Sequence, residues 1–415
     1  MPPTTETAAG ALEPRQEQAI RFVEKLGGAL QRYGTPSNRL DEVLQLLSSI
    51  YNLKGHFFST PSAIFYSYDL PQEQSYARLQ RVYDHDLDFD KLARLDQLFN
   101  KVVDGKVPLA DGPYEVEAII QRKPPYPKAL TLAAFTLTSA SAAAFFGGGI
   151  PEAQLAAAGG FGLGLLYLLL PLSRQLARLF EPAGAFVVTI ITLLLAKTLG
   201  ASSDIATLAS LVVLVPGFSL TIGATELALK HQVSGVGRLA GAMVTLLMLT
   251  LGVFAAREIG GHYLGLGMDS IEAVPGPVWL APLGLVVAGL GLGILFKAAP
   301  RDLPWVIAAV LLPYAAFEAG IGDLSRVLSV FLGGLIAGCF GNVFARVLDR
   351  PSMVVRLPGI LILVPGATGF LSLSELAEGD AIEGIQTMFT VFQTATALVA
   401  GLLVSNAVIS PRKVL

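Results

Sequence analysis

Leu214-Val215-Pro216-Gly217 and Leu363-Val364-Pro365-Gly366 spell the same four residues at an offset of 149 (365 − 216). The same offset, with no gap, lays Glu226-Leu227-Ala228 on Glu375-Leu376-Ala377, Gly235 on Gly384, Lys197 on Arg346 and Ser203 on Ser352. The chain therefore contains an internal repeat. In each copy Pro-Gly falls inside an otherwise apolar stretch. Proline removes a backbone donor and clashes with the preceding turn, so a helix breaks there. A broken helix exposes amides at the start of its second half, and those amides attract an anionic group. Ser219, Thr221 and Thr225 follow the first break; Thr368, Ser372 and Ser374 follow the second.

Around these breaks the composition is that of lipid-embedded protein. The chain has 415 residues, 53% hydrophobic and 15% charged, where a soluble domain carries about 25% charged. Residues 1–128 hold 32 of the 61 charged side chains; the other 287 residues hold 29. The solvent changes from water to lipid near Lys128. About 20 apolar residues cross a bilayer, and ten candidates appear: 129–149, 153–172, 183–200, 205–229, 236–256, 277–297, 303–319, 326–345, 354–374 and 384–409.

Loop charges set the orientation. With the N-terminal segment inside, cytoplasmic loops hold Arg174, Arg178, Lys230, Arg238, Lys297, Arg301, Arg346, Arg350 and Arg356, with Arg412 and Lys413 in the tail. The opposite side shows only Arg257 and Arg326 in its loops, with Lys197 near a helix end. Lys and Arg bias fixes topology, so both termini are expected in the cytoplasm. Five spans per copy is odd, so the second copy enters the bilayer the other way up. Inverted repeats of this kind build many secondary transporters. The expected fold is an all-α polytopic membrane protein, ten transmembrane helices as two five-helix inverted repeats, behind a small α+β domain. Its parts are a disordered tail (1–12), a cytoplasmic domain (13–128), the first repeat (129–256), an external loop (257–276) and the second repeat (277–415).

The substrate site is expected at Pro216, Gly217, Ser219, Thr221, Pro365, Gly366, Thr368 and Ser372, with Asn342 and Gln393 from neighbouring helices. Gln386, Thr394 and Thr396 are further polar candidates. Glu226 and Glu375, the repeated acids, are candidates for carrying a proton or binding an ammonium, because ionisable groups in spans are costly and functional by default. They could equally be interfacial.

In the soluble segment, apolar spacing predicts helices from Arg15 to Tyr33 and from Ser37 or Asn38, as cap, to Asn52. β-rich runs follow at His56–Thr60 and Ala63–Tyr68, then helices over Asp90–Asp104 and Gly112–Ile120. Asp84, Asp86, Asp88 and Asp90 alternate beside His85, but Phe89 and Leu95 stand where a calcium loop needs Gly and Glu. A solvated turn with Asp88 or Asp90 as helix cap is the simpler reading. The lone Cys339 permits no intramolecular disulfide or Cys-based metal site. No cofactor or metal is expected. A net charge of −3 argues against a nucleic-acid partner.

The chain resembles the threonine/serine exporter family over nearly its whole length. The likeness rests on Tyr33-Gly34-Thr35-Pro36-Ser37-Asn38-Arg39-Leu40-Asp41-Glu42, on Lys91-Leu92-Ala93-Arg94-Leu95, on Val102-Val103-Asp104-Gly105, on Pro124-Pro125-Tyr126-Pro127 and on the two Leu-Val-Pro-Gly segments with their Glu-Leu-Ala endings. It implies a cytoplasmic α+β domain ahead of five plus five membrane helices. It also implies export of threonine and serine driven by the proton gradient across the cell's inner membrane. It carries no residue-level site. Partners expected are a small amino-acid substrate, protons and membrane lipid; a homo-oligomer is left open. The alternatives are a membrane-tethered enzyme acting through the N-terminal domain, for which no catalytic set is visible, and a passive small-solute channel.

Overall fold

The computed structural model describes residues 14–70, 74–82, 86–169, 179–266, 271–273, 275–363 and 366–411. The expected tail, Asp84, His85, Arg174, Arg178, Val364, Pro365, Arg412 and Lys413 lie outside these residues.

The soluble part is α+β, as expected. Helices α1 (Pro14–Arg32) and α2 (Ser37–Ile50) precede an antiparallel sheet of β1 (Lys54–Thr60), β2 (Ala63–Leu70) and β3 (Gln74–Arg81), in the order β1-β2-β3. Helices α3 (Phe89–Val103) and α4 (Gly112–Ile120) follow. Side chains alternate across a strand, so Ile64, Tyr66 and Tyr68 of β2 are buried under the helices while Phe65 points out. Strand β3 has no counterpart in the sequence reading. It is polar, its apolar Leu79 lies half exposed beside Phe65, and the pairing Phe65↔Leu79 rather than any apolar run defines it.

The apolar part is helical. The elements are α5 (Lys128–Phe145), α6 (Ile150–Leu169), α7 (Phe180–Leu199), α8 (Ser203–Leu211), α9 (Gly217–Ala228) and α10 (Gln232–Leu264). Then come α11 (Leu280–Leu295), a 3-10 turn (Pro300–Asp302) running into α12 (Leu303–Ile321), α13 (Arg326–Leu348), α14 (Met353–Leu361), α15 (Gly366–Glu378) and α16 (Ala381–Val408). Among the described residues, eight stretches are long and apolar enough to cross a membrane. Helix α11, with 16 residues, is a shorter apolar helix, and α8 and α9 are two short pieces where a single span was expected. Helix α10 runs to Leu264, so residues 257–264, expected in a connecting loop, continue the helix. Gly265 ends it in a left-handed conformation (φ 60°).

The repeat reappears at atomic scale. Helices α9 and α15 start at Gly217 and Gly366, and α10 and α16 at Gln232 and Ala381, both pairs 149 apart. A Cβ on Gly235 would stand 2.7 Å from Leu227 Cγ and 2.8 Å from the Gly223 carbonyl oxygen. A Cβ on Gly384 would stand 2.6 Å from Leu376 Cγ and 3.0 Å from the Ser372 carbonyl oxygen. Each neighbour is again 149 residues from its match, so the two glycines permit the same close helix crossing. The halves also exchange contacts: α9 packs on α16 and α10 on α15, while α5 packs on α11.

Candidate functional site

The first break is built by backbone geometry. Helix α8 stops at Leu211; the Leu214 and Val215 amides then donate to the Leu211 carbonyl (2.8 and 3.1 Å) and Gly217 N–H donates to the Val215 carbonyl (2.7 Å). Pro216 (φ −77°, ψ 48°) precedes α9. The first N–H groups of a helix have no intrahelical acceptor, and those of Phe218 and Ser219 have no acceptor among the described residues. The second half-helix, α15, begins at Gly366.

Both breaks face one cavity of about 870 Å3 between the halves. That lies in the range of small-molecule sites, about 300–1,000 Å3. Its wall is mostly apolar, with hydroxyls at Thr138, Ser141, Ser219, Tyr314, Thr368, Thr390 and Thr394. A groove of about 290 Å3 between α3 and α4 of the soluble part is a third of that size. Pro216, Gly217, Ser219, Gly366 and Thr368, all singled out in the sequence, line the cavity.

The other sequence candidates fall elsewhere. Thr221 is buried and its hydroxyl donates to the Gly217 carbonyl (3.0 Å). Ser372 is buried, its hydroxyl donating to the Gly384 carbonyl (2.7 Å) at the glycine crossing. Asn342 is buried in a separate network, donating to Asn406 Oδ1 (3.1 Å) and the Ile409 carbonyl (2.6 Å) and accepting from Arg356 (2.6 Å). Gln393 is exposed, while Thr394 lines the cavity. One residue turns a helical side chain by about 100°, which separates the two.

Sequence reasoning missed Thr138. It is buried, lines the cavity, and its hydroxyl has no hydrogen-bond partner among the described residues. A Cβ on Gly291 would collide with that hydroxyl. Only the packing of α5 on α11, across the two halves, brings them together.

Glu226 has a role that the sequence did not suggest. It is fully buried. One carboxylate oxygen accepts from the Ser37 backbone N–H (2.9 Å) and the other from Arg238 Nε (3.0 Å). Neither Ser37 nor Asn38 caps α2 with its own side chain, contrary to expectation; a carboxylate from α9 instead supplies the negative group that a helix N-terminus favours. On the other flank the Phe89 and Asp90 amides, at the start of α3, donate to the Phe296 and Lys297 carbonyls at the end of α11 (2.9 and 3.1 Å). Asp88 caps α3 through Lys91 N–H (3.0 Å), as expected. Burial pushes its carboxyl above the usual range, opposed by that N–H and by Lys297. Asp86 binds Lys297 Nζ (2.6 Å) and Asp90 binds Arg94 (2.8 Å). Asp86, Asp88 and Asp90 are thus engaged in docking and capping, with Asp86 still partly exposed. Among the described residues no group of three acids, His or Cys is placed to hold a metal. Leu87, between these anchors, reaches the cavity wall, so the soluble part covers one end of the cavity.

Glu375, the repeat partner of Glu226, is half-buried, and one of its oxygens has no hydrogen-bond partner among the described residues.

A family model described as a putative threonine/serine exporter matches residues 21–260, and a second, described as threonine/serine exporter, matches residues 283–408. The chain belongs to the threonine/serine exporter family. Its relatives include proteins called pheromone-regulated membrane protein 10. That of Debaryomyces hansenii is 25% identical over 86% of this chain and 36% of its own length, and that of Kluyveromyces lactis 24% over 92% and 40%. That of Eremothecium gossypii is 23% identical over 95% of this chain and 56% of its own length. The exporter-family chain thus spans about a third to a half of these relatives. No solved structure matches it. Membership marks a multi-pass membrane protein of a transport family.

Proposed function

We propose that the chain is a secondary transporter that exports small hydrophilic amino acids of the threonine and serine kind from the cytoplasm. The observation that carries this reading is the single cavity lined by both Pro-Gly breaks between two matching halves. Counting α11 and the broken pair α8–α9 with the eight long stretches makes ten spans, five per half, and an inverted pair can rock around a shared site. Both termini then face the cytoplasm, with the soluble part over the inner end of the cavity. The free amides at Phe218 and Ser219 suit a carboxylate, and Gly217 lets a ligand approach the backbone because it lacks Cβ.

The proton gradient drives the cycle in this reading. Glu375, with an oxygen left unpartnered, is the better placed proton carrier. Protonating Glu226 would remove the charge that holds Ser37 and Arg238, so a proton there acts by loosening the docked domain.

The test is transport by the purified protein in proteoliposomes. Uphill movement of serine or threonine should collapse with a protonophore; downhill leakage alone would mean a channel. Glu375→Gln should abolish gradient-driven export while sparing exchange between two substrate pools. Reporter fusions at Ala273 and Glu378 should read as external, and a cytoplasmic signal from either would break the ten-span arrangement.

A further inference from the structure

The hairpin between α12 and α13 carries two charges set against the local field. Glu318 lies in the last turn of α12 and Arg326 opens α13. A carboxylate is disfavoured at a helix C-terminus and a cation at an N-terminus. Pairing does not relieve either charge: among the described residues neither makes an ion pair within 4 Å. Tyr314 lies one turn before Glu318 on the same wall. Arg257, the other arginine that sequence places on this side, is held by Asp204 (2.5 Å). Both Glu318 and Arg326 are exposed, and both line the large cavity together with Tyr314 and with the exposed Ile321 and Leu324 of the hairpin. These five mark an open mouth of the cavity on the hairpin, as Leu87 marks the end under the soluble domain.

We propose that Glu318 and Arg326 form a subsite for the two charged ends of a free amino acid, at the mouth of the cavity away from the soluble domain. The proposal rests on the exporter reading and names how its substrate is recognised. The planar guanidinium of Arg326 presents paired donors that match a carboxylate. Glu318, on the same cavity wall, accepts from the α-ammonium. One charge of each sign makes the subsite neutral, so a zwitterion is favoured over a simple amine, which meets an unmatched arginine, and over a simple acid, which meets an unmatched glutamate. Thr368 and Thr394, further along the wall, supply partners for a side-chain hydroxyl.

Purified full-length protein in proteoliposomes tests this by competition against serine counterflow. The competitors are L-serine, ethanolamine, which lacks the carboxylate, and 3-hydroxypropionate, which lacks the ammonium. The parent should prefer serine by about tenfold or more over either, the worth of one charge-assisted hydrogen bond. Arg326→Gln should lose that preference over ethanolamine, and Glu318→Gln the preference over 3-hydroxypropionate. Asp323→Asn, in the same turn but off the cavity wall, should behave as the parent. Variants that transport with the parent's selectivity, or an Asp323→Asn that changes it equally, overturn the subsite. A parent that moves no amino acid at all overturns the exporter reading instead. In that case ligand-induced thermal stabilisation of the same proteins by the same three compounds decides the subsite without transport.

Discussion

The turn after α9 and the turn after α15 occupy matching places and do opposite things. The first carries Glu226, Lys230, His231, Ser234 and Arg238; the second carries Glu375, Gly379, Asp380, Glu383 and Thr387 at the same offset. In the first, Glu226 is locked by Arg238 and Ser37, and the Ser234 hydroxyl donates to the Ser59 carbonyl of β1 (2.8 Å). In the second, Thr387 stands where the arginine was, and one oxygen of the acid has no hydrogen-bond partner among the described residues. The repeat keeps what makes a helix crossing, the glycine at Gly235 or Gly384, and varies what meets the outside. One end is a receptacle for a protein domain; the other is left bare and acidic.

The largest effect that could break this comparison is at Arg238. Its side chain is 10% exposed and that of Glu226 is 1% exposed. Arg238→Leu strands a buried carboxylate, which costs about 3–5 kcal/mol. Thermal unfolding should fall sharply, and proteases should cut between α4 and α5. Thr387→Leu, the matching change, should stay within about 0.5 kcal/mol. Equal effects at the two ends would mean that Arg238 is not what distinguishes them.

A smaller effect concerns the turns themselves. Lys230 and Gly379 match in the repeat, and both have positive φ, 67° and 100°. A side chain in that region costs about 1–2 kcal/mol. Gly379→Ala should destabilise by about that amount, although a Cβ there meets nothing within 4 Å. Lys230→Gly should stabilise, and denaturation in detergent reads both. If Gly379→Ala is neutral, the two turns differ in backbone as well as in charge.

The smallest effect is pH-dependent. Asp41 lies by the docked face and accepts from the Ser59 hydroxyl (2.6 Å). Burial raises its carboxyl above the usual value; Ser59 and His231 oppose this, and Glu226 adds to it. A raised carboxyl favours the neutral form in the folded, docked state. Its contribution is therefore full at low pH and is lost as pH rises through the raised value. Protease protection of the segment between α4 and α5 should weaken over the mildly acidic range, and Asp41→Asn should flatten that slope. A slope unchanged in the asparagine variant would place the titration elsewhere.

What the sequence made legible was whatever obeys a period. The ungapped offset located both breaks, the acids and the glycine crossing, and the cavity does lie at the breaks. What stayed hidden depends on contacts between distant segments. Glu226 meets Ser37 across 189 residues, and no local pattern announces a helix capped from so far away. Thr138 is one hydroxyl among several on α5 until α11 packs against it. Gln393 and Thr394 are equally polar in the sequence, and only the rotation of α16 separates wall from exterior. Glu318 and Arg326 served only to count loop charge, because their meeting at one cavity mouth needs the hairpin.

Helix α10 has 33 residues, about 50 Å at 1.5 Å per residue, against a hydrocarbon layer of about 30 Å. Near its start sits Arg238, holding the Glu226 carboxylate that meets Ser37; near its far end sits Arg257, clasping Asp204. No proline interrupts it, so it is a strut with a handle at each end. A tilt of about 5° around its midpoint would swing each end by about 2 Å, given that length. That is enough to part a hydrogen bond at one handle while straining the ion pair at the other. The contact that holds α2 and the ion pair on α8 are thus mounted on one rigid rod.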